Sequence, residues 1–411
     1  MSDDAAAAVP HTARMADDDL RPPPIGLLPL FLRFLRFGAL AFGGPVAQIA
    51  MVRHELVERD RWMSSARFNR LLAVMQALPG PEAHELCVHM GVRARGRIGG
   101  LLAGLGFMMP GFLLMLAAAW AWFRFDVGQG AFAAALLGAQ AAVIGLIARA
   151  VERIGRHILV ARSLWLVAGL SLPATLAGAP FWIVLPAGAA IHGLAATGRR
   201  GAALAALLGA AAVAVLWLLR PAAPAAVDVL AAAAPATVLA LFLTGLKAGL
   251  LTFGGAYTAI PFVRADVVPR GWMSDATFLD GVVLANVMPA PLVIFGTFVG
   301  YAAGGLPGAL AVTAGVFLPA FAFSMILHDR LEQVVGIPAV HAVLDGIAGA
   351  VVGIIAATVL QLAAGLAGQG TGWPLLAIGG LALVAAWTLK GRFAAPLILA
   401  VAAGAGQLWL A

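Results

Sequence analysis

The sequence predicts an all-α polytopic membrane protein made of two homologous halves, arranged as inverted-topology repeats with broken or re-entrant helices. Three observations predict it. The chain of 411 residues is 62% hydrophobic and only 11% charged, with a mean hydropathy of +0.96, whereas soluble globular proteins carry about 25% charged residues. The first half of the chain is written again in its second half. Gly-Gly and Pro-x-Pro breaks interrupt the apolar sequence at matching places in both halves, a pattern that points to a transporter's substrate site.

The duplication keeps its register over a long stretch. Phe31-Leu32-Arg33 through Phe42-Gly43-Gly44 aligns with Phe242-Leu243-Thr244 through Phe253-Gly254-Gly255. Val52-Arg53 then matches Val263-Arg264, and Trp62-Met63-Ser64 matches Trp272-Met273-Ser274. Phe68 matches Phe278, Pro79-Gly80-Pro81 matches Pro289-Ala290-Pro291, and Pro110 matches Pro319.

Residues 1–24 are polar and proline-rich and read as a disordered cytoplasmic tail with no secretory signal pattern. The first repeat then occupies 25–219, a proline-containing linker 220–236, and the second repeat 237–411. A span needs about 20 apolar residues. Runs of that order cover 98–123, 131–148, 163–179, 181–197 and 201–219, then 309–327, 343–366, 373–389 and 393–410. The leading part of each repeat differs. Residues 27–52 and 238–263 carry a central Gly-Gly, and 70–92 and 279–300 carry a Pro-x-Pro. Proline removes a backbone donor and clashes with the preceding turn, so each segment reads as two half-helices meeting at a break. Backbone freed at membrane depth is tolerated only when buried in protein or lining a wet cavity.

Loop charge orders the spans. Lys and Arg number five in 53–70, three in 93–97, four in 149–162 and two in 199–200, against two in 264–277 and none in 301–308 or 367–372. The positive-inside rule places the four rich loops together on the cytoplasmic face, with the N-terminus. This requires 27–52 and 70–92 to enter and leave on one side. An odd number of spans then delivers the second half inverted.

Ionisable groups at membrane depth default to function. Arg36 and Lys247 occupy equivalent places in the two halves, which suits an anion site; snorkelling to the headgroups is the other reading. A half-helix beginning after Gly43-Gly44 or Gly254-Gly255 offers unpaired N–H groups and a positive dipole end, against a reading as close helix packing. Glu82, Glu85 and His89 follow the first Pro-Gly-Pro and share one helical face. They are either structural pairs or protonatable groups that couple proton and anion movement.

Enzyme chemistry finds no support. The histidines of His84-Glu85-Leu86-Cys87-Val88-His89 are five apart rather than the four of a zinc-protease helix. No P-loop, Ser/His/Asp pattern or acidic metal motif stands out in the spans, so no metal and no cofactor are expected. The single cysteine, Cys87, excludes a disulfide framework. The formal net charge of +7 sits in short loops and reads as topology rather than nucleic-acid binding.

At these residues the chain resembles the chromate ion transporter family in its long, two-domain form. The resemblance rests on Phe42-Gly43-Gly44-Pro45 with Gln48, Arg61-Trp62-Met63-Ser64 and Leu78-Pro79-Gly80-Pro81-Glu82-Ala83. It continues through Phe253-Gly254-Gly255-Ala256-Tyr257, Pro261, Gly271-Trp272-Met273 and Pro289-Ala290-Pro291-Leu292. It implies a multi-pass protein of the bacterial inner membrane that exports chromate, with sulfate as the look-alike ion, driven by the membrane potential or the proton gradient. The substrate site expected from the paired breaks comprises the backbone at Gly43, Gly44, Pro79, Gly80, Pro81, Gly254, Gly255, Pro289, Ala290 and Pro291. The side chains of Arg36, Lys247, Gln48, Tyr257 and Asn286 would complete it.

The chain also departs from the family pattern, which carries an acidic residue and two threonines before a second Pro-Gly-Pro. Here the stretch is Asn286-Val287-Met288 and the glycine is Ala290. Export follows from charge: each unit charge moved through 100 mV is worth about 2.3 kcal/mol, so an interior-negative membrane drives a dianion outward by roughly 4.6 kcal/mol per 100 mV. Competing readings are oxyanion uptake or exchange, a passive anion channel, and a membrane subunit of a larger machine. The expected partners are the small oxyanion and the bilayer, with room for a homodimer.

Overall fold

The computed structural model describes residues 20–219, 235–326, 337–368 and 372–410. Most of the expected tail 1–24 and linker 220–236 lies outside the described residues. Everything described is helix, turn or loop, with no strand among the described residues.

Helix α1 (Leu27–Ala39) stops before Phe42-Gly43-Gly44, and both glycines take positive φ, +91° and +76°. Helix α2 (Gly44–Val52) leaves with Pro45 in its first turn, where the missing N–H is not needed. A π-helical turn, Arg53–Arg59, continues it. The amide of Gln48 reaches back to the Ala41 carbonyl at 2.9 Å, Glu55 lies 3.8 Å from Arg36, and Asp60 pairs with Arg33. The chain therefore doubles back along α1 and leaves on the side where it came in. Trp62 is buried beneath the Arg33 guanidinium, 5.2 Å from its ring centroid.

The repeated Trp-Met-Ser is a helix start. Ser64 Oγ accepts from Arg67 N at 3.2 Å to cap α3 (Ser65–Ala77), and Ser274 Oγ does the same for Thr277 N at 3.1 Å. Each cap is worth about 1 kcal/mol. Helix α3 ends at Leu78-Pro79-Gly80-Pro81, and α4 (Glu82–Arg124) begins there.

Helix α4 is two antiparallel arms. At Arg95-Gly96 the backbone reverses, with Gly96 at φ +63°, ψ −159°, a region essentially reserved for glycine. Residues 82–94 fold back on 97–124, and Gly91 and Gly99 meet backbone to backbone because neither carries a Cβ. Arg93 donates to the Leu20 carbonyl at 3.0 Å, which sets this reversal beside the start of α1. The arm 97–124 then crosses, about 40 Å long at 1.5 Å per residue.

The first half finishes with α5 (Ala133–Ile158), α6 (Arg162–Leu176), α7 (Phe181–Ala196) and α8 (Arg200–Leu219). The second half repeats the opening order: α9 (Val238–Leu250), the Gly-Gly break, α10 (Ala259–Val267), α11 (Asp275–Val287), the Pro-x-Pro break and α12 (Phe295–Ile326). Helix α12 also reverses, at Gly304-Gly305, with Gly300 packed on Gly308. Helices α13 (Pro338–Ala367), α14 (Gly372–Thr388) and α15 (Ala394–Leu410) complete the chain.

The two halves are inverted. The crossing arm of α4 starts beside Phe321 through Gly104 and ends with Phe123 stacked on Tyr301, centroids 6.0 Å apart, near the α12 reversal. Helix α12 runs the other way, so the crossing arms are antiparallel. Among the described residues, five segments contain a stretch long and apolar enough to cross a membrane: Glu82–Arg124 and Leu292–Ile326, each including a reversal, and Ala133–Ile158, Arg200–Trp217 and Pro338–Ala367. Leu204, Leu208 and Leu216 on α8 point outward, as a lipid-facing helix requires.

Candidate anion site at the crossed breaks

The four breaks meet. Gly80 N donates to the Thr252 carbonyl at 2.8 Å, joining the Pro-x-Pro break of the first half to the approach of the second Gly-Gly. The equivalent link on the other side is made by a side chain. The Gln48 amide donates to the Ala41 carbonyl at 2.9 Å and to the Ala290 carbonyl at 3.0 Å. Ala41 and Thr252 are equivalent in the repeat, as are Gly80 and Ala290. Gln48 is fully buried and serves as a brace rather than as a cavity lining.

Two cavities adjoin at this crossing. One, of about 460 Å³, is lined by Gly43, Gly44, Tyr257, Asn286 and Ala290; the other, of about 770 Å³, by Glu82, Gly254, Gly255 and Tyr257. Pro45, Val46, Arg149, Arg153 and Tyr257 belong to both walls. Tyr257 Oη donates to Asn286 Oδ1 at 2.7 Å, and Asn286 Nδ2 donates to the Val282 carbonyl at 2.9 Å, which fixes the amide orientation. The N-terminus of α2 has no side-chain cap, and its first residue, Gly44, lies in the cavity wall. Free N–H groups and the positive dipole end therefore lie at this wall.

The cations at this site are not those expected. Arg36 is 62% exposed and paired with Glu55, and Lys247 is paired with Asp266 at 2.5 Å and lies over the Phe181 ring at 4.8 Å. Neither lines a cavity among those at the breaks. Glu55 and Asp266 are equivalent in the repeat, so the duplicated cations have duplicated acidic partners. Each pair clamps a re-entrant hairpin.

Arg149 and Arg153 on α5 take the cavity instead. Glu152 holds both Arg149 and Arg156 in ion pairs, whereas Arg153 has no carboxylate partner among the described residues. Its charge acts on both Glu82 and Tyr257. Lys390 and Arg392 add positive charge at the rim of the smaller cavity. Sequence reasoning assigned Arg149 and Arg153 to a loop because the apolar run ends at 148. Their i, i+4 spacing on a helix continuing to Ile158 was the signal available.

The remaining expected residues stand behind the walls. Pro79, Gly80 and Pro81 are buried, and a Cβ on Gly80 would run into the Glu85 carboxylate. Pro289 and Pro291 flank Ala290 without lining either cavity. Glu85 is 1% exposed, and neither carboxylate oxygen has a hydrogen-bond partner among the described residues. His89 is buried one turn further along the same arm. No group of three or more metal-ligating side chains occurs among the described residues.

A family model described as "Chromate transporter" matches residues 28–236 and again 239–407. The chain is 54% identical to the chromate transport protein of Pseudomonas aeruginosa, over 96% of each chain. It is 31% identical to the chromate transport protein of Cupriavidus metallidurans, over 88% of this chain and 86% of that one. A probable chromate transport protein of Synechococcus elongatus is 29% identical over 94% of this chain and 96% of its own. No solved structure matches the chain significantly.

Proposed function

This chain belongs to the chromate transporter family, and from that premise we propose that it exports chromate across the bacterial inner membrane as a secondary transporter. The observation that carries the site is Arg153, a cation without a carboxylate partner among the described residues, in the wall shared by two cavities between both Gly-Gly breaks. A tetrahedral dianion there meets the guanidinium groups of Arg153 and Arg149, the open N–H groups of α2 and the Tyr257–Asn286 pair. Sulfate has the same charge and shape and competes for the same donors. The smaller cavity alone, at about 460 Å³, holds the ion with several waters, each taking about 30 Å³.

Glu82 gives this site a proton dependence. It lines the larger cavity within the field of Arg153, so an ionised Glu82 and a bound dianion compete for one cation. Protonation of Glu82 removes the competitor and favours anion binding. The direction of transport follows from the interior-negative potential, which drives a dianion outward without an obligatory coupling ion. The Arg-rich reversal at 93–97 and the N-terminus face the cytoplasm in this reading.

The test is radiolabelled chromate flux in everted vesicles, with the potential imposed or collapsed and sulfate as competitor. Potential-dependent accumulation inhibited by sulfate supports export of a sulfate-like oxyanion. Conductance that never saturates would indicate a channel instead, and flux only in the inward direction of the cell would indicate uptake.

A further inference from the structure

A third cavity, of about 450 Å³, lies at the other end of α5. Gln140 and Asp280 line it, with Trp122, Asp126, Ser274 and Thr277. The distance from Gln140 to Arg149 along α5 is about 14 Å at 1.5 Å per residue. Helix α11 runs alongside, contributing Asp280 to this cavity and Asn286 to the arginine cavity. The two chambers therefore open from opposite ends of the same helix pair, and their charges are opposite: arginines in one, aspartates in the other.

Asp280 is 5% exposed and Gln140 3%. Gln140 Nε2 donates to Asp280 Oδ1 at 2.7 Å and to the Ala276 carbonyl at 3.3 Å. Gln140 Oε1 is buried with no hydrogen-bond partner among the described residues. Among the described residues, the surroundings bring no cation. Helix α15 carries no acid or base, α12 brings only Tyr301, and α5 brings Gln140 here and its charges at the far end. From the α4 side comes Asp126, while Arg124 does not line the cavity. On α11 itself Asp275 is bound by Arg264 at 2.6 and 2.8 Å and lies outside the lining. A buried carboxylate needs a compensating partner, and Gln140, whose amide oxygen is buried without a partner among the described residues, lines the same cavity.

We propose that Asp280 and Gln140 form a second ion site, for a small monovalent coupling cation, at the end of the pathway opposite the arginines. The cation is a proton carried on Asp280 or a sodium ion held by Asp280 and Gln140 Oε1. A dianion leaving the arginine cavity toward this end meets like charge at Asp280, and cation binding removes that barrier. Cation arrival and anion departure are thereby linked. The proposal rests on the transport reading above, and it adds the site at which the coupling ion acts.

The test uses the purified full-length protein in proteoliposomes, with the potential clamped and chromate flux driven by a pH gradient or by a sodium gradient. The wild type should respond several-fold to one of the two, which identifies the cation. D280N should lose the accumulation driven by that gradient, keeping only the pH dependence of affinity assigned to Glu82, while chromate–chromate counterflow stays within about twofold. A D280N protein with the full gradient response, or a wild type indifferent to both gradients, overturns the proposal and leaves potential-driven export standing. D280E covers failure of D280N to insert: the pH or sodium midpoint of the response should move, and an unmoved midpoint counts against the site. Trp122 gives a readout independent of transport. The part of the fluorescence removed by W122F should titrate with pH or sodium in the wild type and not in D280N. Titration without chromate flux would retain the cation site and remove the chromate reading.

Discussion

Gly80 and Thr252 are joined by a 2.8 Å backbone hydrogen bond that ties the Pro-x-Pro break of one repeat to the Gly-Gly approach of the other. The same join between Ala290 and Ala41 passes through the Gln48 amide. The candidate site is therefore a crossing of two hairpins from inverted halves, and the arginines in the wall shared by both cavities come from α5, outside both hairpins.

R153Q should weaken chromate transport more than R149Q. Arg153 lines the cavity with no acidic partner among the described residues, whereas Arg149 shares Glu152 with Arg156. Losing a charge-assisted bond worth about 1.5–3 kcal/mol raises the half-saturating chromate concentration by roughly 10- to 100-fold. R36Q should leave that concentration near the wild-type value, because its exposed pair with Glu55 contributes less than about 1 kcal/mol. Concentration-dependent flux in everted vesicles separates these outcomes.

E82Q should raise the apparent affinity for oxyanion at neutral pH and flatten its pH dependence, since the competitor for Arg153 is removed. Measuring sulfate inhibition of chromate flux between pH 5.5 and 8 checks both. Affinity that falls in E82Q would make Glu82 a ligand of the site rather than a competitor.

Q48L should destabilise the protein without touching the cavity lining. Two buried carbonyls, of Ala41 and Ala290, lose their donor, at about 1–3 kcal/mol each. Q48E keeps the size but, protonated in this buried place, offers one O–H where the amide offers two N–H groups, so it should lose less stability than Q48L. A melting temperature unchanged in both variants would show that the brace carries no stability.

Asp60 makes the first hairpin acid-sensitive. Burial raises its carboxyl, but hydrogen bonds from Arg33 and Arg59 outweigh burial and hold it below the usual carboxylate range. A depressed folded value means the stabilisation is complete above the unfolded carboxyl range, near pH 4, and is lost as pH falls through the folded value. D60N should therefore melt lower than wild type at pH 7, and the difference should shrink below about pH 4.

Single cysteines at 60 and 95, in a background lacking Cys87, should be labelled from one face, and cysteines at 126 and 304 from the other. Both 60 and 95 lie where a re-entrant segment returns to its side of origin. Split labelling of 60 and 95 would contradict the hairpins.

Most of the architecture was legible because bilayer thickness makes hydropathy a ruler and duplication gives each irregularity a second witness. The expected span 98–123 is the crossing arm 97–124, and 343–366 lies within α13. Loops expected at 93–97 and 301–308 are reversals of only two residues, set by Gly96 and Gly305, with the helices packed glycine on glycine. The site was read less well. Repetition singled out Arg36 and Lys247, yet it reflected a repeated clamp, because Glu55 and Asp266 repeat with them. Arg149 and Arg153 have no counterpart in the duplicated motifs, and an arginine in an apolar run looks like the end of a span. Their place in the cavity wall depends on which way α5 faces, which only packing decides.

The unequal braces set the two crossings apart. A duplicated fold tied identically at both crossings would hold its two end states at equal energy, and occupancy would be split. Here one tie is main chain, fixed by peptide geometry, while the other hangs on a side chain with rotatable bonds. That inequality leaves the two crossings unlike in stiffness, and Gln48 is the residue that makes them so.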